Sequence, residues 1–257
     1  MNTTVITALY NIDRETKGDN RKWSDYLDWF KSTLQLNMPM VIFIPSYLKD
    51  FVTEHRPKDY KTQVIIQEQQ DIPYAYLEPR IREILTNDSY RNHIKDNKRV
   101  ECILPYYNII QYSKFKWLKH ASEENYFKTD YFFWMDAGIS RFIDVLAPIK
   151  EKIELPSGKL SIQKNNLYDN YPVNDKYLWN SQCLLCGTIF GGDSKAIHYI
   201  ELRIHKLLTT LMENDNWINN EQILLAYIAK QLDTNLFNLI LNNTSKHVCL
   251  FEKVFKL

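Results

Sequence analysis

Thr129-Asp130-Tyr131-Phe132-Phe133-Trp134-Met135-Asp136-Ala137-Gly138-Ile139-Ser140-Arg141-Phe142-Ile143-Asp144 is the most informative stretch of the chain. The apolar and aromatic run from Tyr131 to Met135 reads as a buried strand. It ends in Asp136-Ala137-Gly138, and a segment with helical spacing (Ile139, Phe142, Ile143, Leu146) follows. A carboxylate just past the carboxyl end of a buried strand lies where open α/β sheets bind their ligands. The plainer reading is a strand-to-helix turn in which Asp and Gly serve geometry alone.

The flanking sequence repeats this alternation. Val5–Tyr10 reads as a first buried strand, followed by a polar loop with Asn11, Asp13 and Arg14. Trp23, Tyr26, Leu27, Phe30 and Leu34 then fall at helical spacing. Met40–Ile44 and Val64–Ile66 are further strands, with a short helix Tyr47–His55 between them. Residues 78–98 are mostly helical, and Pro105 introduces another helix over Tyr106–Lys119. From Glu151 to Tyr177 the pattern weakens, which predicts a lid or acceptor-side insertion. Cys183–Phe190 reads as a strand, Ala196–Leu211 and Glu221–Leu232 as helices, and His247–Phe251 as a late strand. Short strands spaced by helices of 10–15 residues predict a layered α/β domain.

At 257 residues the chain can bury a large single core. Its net charge of +1 gives no reason to expect nucleic acid as the main partner. No interval is apolar enough to span a membrane, and the polar N-terminus lacks a secretory pattern. Buried free thiols are the expectation for the four cysteines, so a reducing, cytoplasmic setting is expected. Cys183 and Cys186 have the spacing of a metal or redox pair, but strand alternation would send their side chains to opposite faces. There are only 6 glycines, so the cluster Gly187, Gly191 and Gly192 stands out.

Asp136 is the strongest single candidate for chemistry, because a carboxylate at a strand end can hold a divalent cation. Gly138 would let the backbone pass close to a ligand. His247 suits manganese, and the adjacent Lys246 would add positive charge for phosphate. Glu221 opens a helical pattern after Asn219-Asn220; it either stabilises the helix start or acts as a general base. Lys114 and Lys116 flank aromatic residues and could meet phosphate or solvent, and Arg14 has the same ambiguity. GxxxxGK, GxGxxG, GxSxG and HExxH patterns are all missing, which argues against P-loop and dinucleotide enzymes.

Several stretches, taken in order, resemble the HtrL/YibB family. They are Thr7-Ala8-Leu9-Tyr10-Asn11-Ile12, Leu104-Pro105-Tyr106-Tyr107-Asn108, Gln111-Tyr112-Ser113-Lys114, Phe133 to Ser140, Gly191-Gly192 and Asn220-Glu221-Gln222. That family resembles glycosyltransferases of the GT-A type. The resemblance implies a Rossmann-type α/β/α sandwich with a mixed, mostly parallel central sheet. It implies one domain over 1–257, in which 1–145 mainly bind nucleotide and 146–257 mainly serve the acceptor. The implied activity is transfer of a sugar from a UDP- or GDP-linked donor to an unidentified hydroxyl-bearing acceptor, assisted by Mn²⁺ or Mg²⁺. Nucleotidyl transfer, nucleotide-sugar hydrolysis and binding without catalysis are the alternatives.

In this scheme Thr7, Ala8, Tyr10, Arg14, Lys114, Asp136, Gly191, Gly192 and Lys246 would hold the donor. Asp136 and His247 would hold the metal, and Glu221 with Asp136 would be catalytic. Asp136 matches the first Asp of the DxD signature, while Gly138 stands where the second would be, so the metal site departs from the family pattern.

Overall fold

A computed structural model describes residues 2–146, 155–242, 250, 251 and 255. Along the chain the main elements are β1 (Thr3–Ala8), α1 (Arg14–Lys17), α2 (Trp23–Thr33), β2 (Met40–Ile44), α3 (Lys49–His55) and β3 (Thr62–Ile66). They continue with α4 (Glu78–Thr86), α5 (Asp88–His93), α6 (Pro105–Glu124), β4 (Tyr131–Met135), β5 (Leu160–Lys164) and β6 (Leu185–Asp193). The last are α7 (Ser194–Asp215), α8 (Glu221–Tyr227) and β7 (Phe237–Leu241).

The strands form one seven-stranded sheet in the order β3-β2-β1-β4-β6-β5-β7. β1 pairs in parallel with both β2 and β4, and β2 with β3. β6 runs antiparallel to both of its neighbours, β4 and β5, while β5 and β7 are again parallel. The fold is therefore a Rossmann-like α/β sheet, mixed and mostly parallel. The strand order crosses from one set of neighbours to another around β1, β4 and β6, which places a crevice at their shared end.

Alternation along the strands divides the core in two, as the pleat requires. Ile6, Val41, Phe43, Phe132 and Trp134 face the layer containing α4, α6, α7 and α8. Val5, Met40, Ile42, Phe133 and Met135 face α2, α3 and the buried Leu250, Phe251 and Phe255. Covering on both faces explains why these strands read as continuous apolar runs.

Long α6 starts with Pro105 in its first turn, where the missing N–H costs nothing, and stops at Asn125, whose φ of 41° is left-handed. Among the described residues no helix is long and apolar enough to cross a membrane.

Four expectations need correction. The weak region 151–177 is not an insertion, because its Leu160–Lys164 is a sheet strand seated between β6 and β7. Its polar alternate residues, Ser161 and Gln163, are buried by the sheet's own layers, which hid the strand pattern. The segment after Gly138 forms only a 3₁₀ turn, Ile139–Arg141, because Ile139 plugs the core. The last strand is Phe237–Leu241, whereas Leu250 and Phe251 are helical; positions 247–249 of the expected late strand lie outside the described residues. Cys183 precedes β6 rather than lying in it.

Candidate functional site

A cleft of about 280 Å³ opens at the carboxyl ends of β1 and β4, beside the start of β6. Its volume is near the low end for ligand sites. At its floor lies Lys114 of α6, 1% exposed. Its Nζ stands 3.0 Å from Glu221 Oε1 and 3.1 Å from Asp136 Oδ1. It also donates to the Gly187 carbonyl at 3.0 Å. One ammonium thus joins α6, β4, β6 and α8. Burial works against the Lys114 charge, but Asp136 and Glu221 outweigh it and hold the ammonium above its ordinary range.

Asp136 is fixed from a second side. The Trp134 indole donates to Asp136 Oδ1 at 2.7 Å, and the Asp136 amide donates to the Thr188 carbonyl at 2.9 Å. Trp134 itself belongs to an aromatic column. Trp117 stacks on Trp134 at 5.8 Å and on Tyr10 at 5.8 Å, with interplanar angles of 10° and 4°. Rings packed this way give the indole one orientation, so the carboxylate inherits it. The Asp136 side chain keeps 31% exposure, so part of it faces the cleft.

Glu221 is placed by the start of α8, where the Asn220 side chain accepts from the Gln222 amide at 2.9 Å. It is fully buried, and its Oε2 has no hydrogen-bond partner. Burial pushes its carboxyl above the usual range, Lys114 opposes this, and Asp136 adds to it. Glu221 lines the cleft but is buried with Oε1 bound to Lys114, whereas Asp136 keeps part of its side chain exposed there. Gly187 makes this packing possible, since a Cβ there would lie 2.2 Å from Glu221 Oε1.

The other expected residues divide. Ala8, Tyr10 and Arg14 line the cleft with Lys114 and Asp136. Thr7 does not; it is buried within β1 and its hydroxyl has no partner. Gly191 and Gly192 are also away from the cleft, in the body of β6. A Cβ at Gly191 would lie 2.2 Å from the Phe132 carbonyl oxygen, and one at Gly192 would lie 2.6 Å from that of Lys159. Their close approach is to neighbouring backbone, not to a sugar. Gly138 lines the cleft, but Trp29 occupies the room beside it, 3.2 Å from an added Cβ. Lys116 pairs instead with the buried Glu201, at 2.5 Å. Lys246 and His247 lie outside the described residues.

For a divalent metal, the described residues offer a poor set of ligands. Asp136 Oδ1 already receives an ammonium and an indole N–H, and Glu221 Oε1 receives the same ammonium. No group of three or more His, Cys, Asp or Glu is placed to hold an ion among the described residues. Among the described residues this set does not fit Mn²⁺ or Mg²⁺.

Arg21, Arg141, Tyr26 and Tyr107 also line the cleft and were not singled out by sequence. Arg141 follows the Asp136 turn by five positions, which was the available signal. Arg21 had none beyond its place just before α2.

A protein-family model described as "Bacterial protein of unknown function (HtrL_YibB)" matches residues 1–253. The chain belongs to the HtrL_YibB family. No curated protein matches it. Among solved structures it is similar to 4-diphosphocytidyl-2C-methyl-D-erythritol synthase from Anaerococcus prevotii DSM 20548. The identity is 12% and the TM-score 0.40, over 95% of this chain and 88% of that one. The assignment of the fold rests on the sheet order itself.

Proposed function

We propose that this HtrL_YibB chain is a glycosyltransferase, moving a sugar from a UDP- or GDP-linked donor to a hydroxyl-bearing acceptor. The observation that carries the reading is Asp136, oriented by Trp134 and Lys114 at the floor of a cleft at the sheet's switch point. In such a transfer the bond from the sugar's anomeric carbon to the leaving diphosphate breaks. A bond from the acceptor oxygen to that carbon forms, and the hydroxyl proton must leave. Asp136 is the carboxylate that meets the cleft space, so it takes the proton or faces the positive anomeric carbon. Glu221 also lines the cleft, but it is buried and bound to Lys114, so it acts through that ammonium as a positioning residue.

The test is thermal unfolding with a panel of nucleoside diphosphates and their sugars, each with Mn²⁺ and with EDTA. Release of nucleoside diphosphate in the presence of candidate acceptors is then followed. A ligand that binds only the native state raises the apparent stability by mass action. One nucleotide class is expected to stabilise the protein, and Asp136→Asn is expected to keep that binding while losing transfer. If no nucleotide or nucleotide sugar shifts the transition, the donor reading fails.

A further inference from the structure

Three guanidinium groups crowd one side of the cleft: Arg14 in α1, Arg21 before α2, and Arg141 in the turn after β4. Two aromatic rings of α2 link them. Arg14 and Arg21 lie over Tyr26 at 5.8 and 6.0 Å and donate to its hydroxyl at 2.6 and 3.5 Å. Arg21 and Arg141 lie over Trp29 at 6.0 and 4.7 Å. Aromatic faces attract cations, and here they hold three like charges together that would otherwise repel.

The crowding is under-neutralised. Asp19 pairs with Arg14 at 2.5 Å and reaches Arg21 at 3.9 Å, so one carboxylate serves two arginines. Among the described residues the Arg141 guanidinium has no hydrogen-bond or ion-pair partner, only the ring faces of Trp29 and Phe142. Burial, and then the charge of Arg21, lower its hold on its proton; Asp136 attracts it in return, and Arg14 also repels it. Glu15 also lines the cleft, but its carboxylate accepts from the Trp23 amide at 3.1 Å, at the start of α2. Three arginines against Asp19 and Glu15 leave one positive charge on this side of the cleft.

The geometry points to a diphosphate-binding site on Arg14, Arg21 and Arg141 that needs no divalent metal ion. The diphosphate of a nucleotide sugar is a diester with two negative charges, and this wall offers it three guanidinium groups and a net positive charge. Planar guanidinium groups meet phosphate oxygens two at a time, and groups already stacked on rings lose little freedom in doing so. The site deepens the donor reading above and rests on it for the nucleotide and sugar, but not for the diphosphate.

The experiment is calorimetric titration of the full chain with inorganic pyrophosphate, and with UDP and GDP, in EDTA and again with Mn²⁺. Binding of pyrophosphate in EDTA is expected. Arg21→Gln and Arg141→Gln are each expected to weaken it roughly tenfold, the scale of one lost charge-assisted contact. Arg203→Gln, at the distant ion pair with Asp233, is expected to leave it unchanged. Circular dichroism confirms that each variant is folded. Binding that requires Mn²⁺, or that is equal in both cleft variants and the wild type, overturns the site. Pyrophosphate binding in EDTA with no response to any nucleotide sugar keeps this site and sinks the donor reading. Mn²⁺-dependent sugar transfer with no binding in EDTA does the reverse.

Discussion

Lys114 shows what a single side chain can be asked to do. Its ammonium is shut from water and contacts two carboxylates and a carbonyl. Removing it strands Glu221 as a buried charge without a partner, a change that costs about 3–5 kcal/mol in comparable pairs. Lys114→Met is therefore expected to lower stability by that order in urea denaturation. The double variant Lys114→Met/Glu221→Gln should recover much of the loss, since the stranded charge is gone. Equal instability of the single and double variants would remove the coupling. At this scale the sequence was partly legible. Asp136 was visible because a carboxylate interrupts an apolar run, and Lys114 because it sits among aromatics. The burial of Glu221 was hidden, because it depends on Gly187 vacating the space beside it. Arg21 and Arg141 were hidden too, because their pairing arises only when Trp29 comes between them.

Among the elements, β6 and the helix after it carry the sharpest tests. Asp193 caps α7, accepting from the Ala196 amide at 2.9 Å, the Gly158 amide at 2.7 Å and the Ser157 hydroxyl at 2.8 Å. Burial alone would raise its carboxyl, but these donors outweigh it and hold it below the ordinary range. A depressed value in the folded state means the stabilisation is present above the unfolded value of about 3.9 and is lost as pH falls through the folded one. Asp193→Ala is expected to cost about 1 kcal/mol at pH 7. Denaturation at pH 7 and again below about pH 4 should show that gap shrinking; a gap that widens in acid contradicts the capping role.

Gly191→Ala tests strand packing, because the new methyl meets β4 backbone that cannot step aside. It is expected to cost about 1–3 kcal/mol or more. Gly138→Ala should cost less, since only the Trp29 side chain must yield; equal losses in thermal melts would contradict this account. The buried strands β1, β2 and β4 were legible as apolar runs. β5 was not, because its Ser161 and Gln163 are polar yet buried. Asn238 supplies the reason at one of them, donating to the Ser161 hydroxyl at 3.0 Å across the β5–β7 pair.

Across the whole molecule, one sheet takes strands from the first half and the second, and the cleft draws on both. Asp136 and Lys114 come from before residue 146, while Gly187 and Glu221 come from after it. The antiparallel seating of β6 between β4 and β5 also governs how the chain is made. The ribosome delivers β4 and then β5, yet the place beside β4 belongs to β6, which emerges later. At about 5–20 residues per second, the nascent sheet β3-β2-β1-β4 waits roughly 3–12 s with the β4 flank unpaired. An uncovered flank of this kind recruits other strands. A chain released after residue 146 is expected to self-associate on size exclusion, and a monodisperse product would refute that. The same seating therefore makes the second half of the polypeptide the cover of the first during synthesis, and any pause in translation between β4 and β6 prolongs the period in which the newborn protein depends on chaperones.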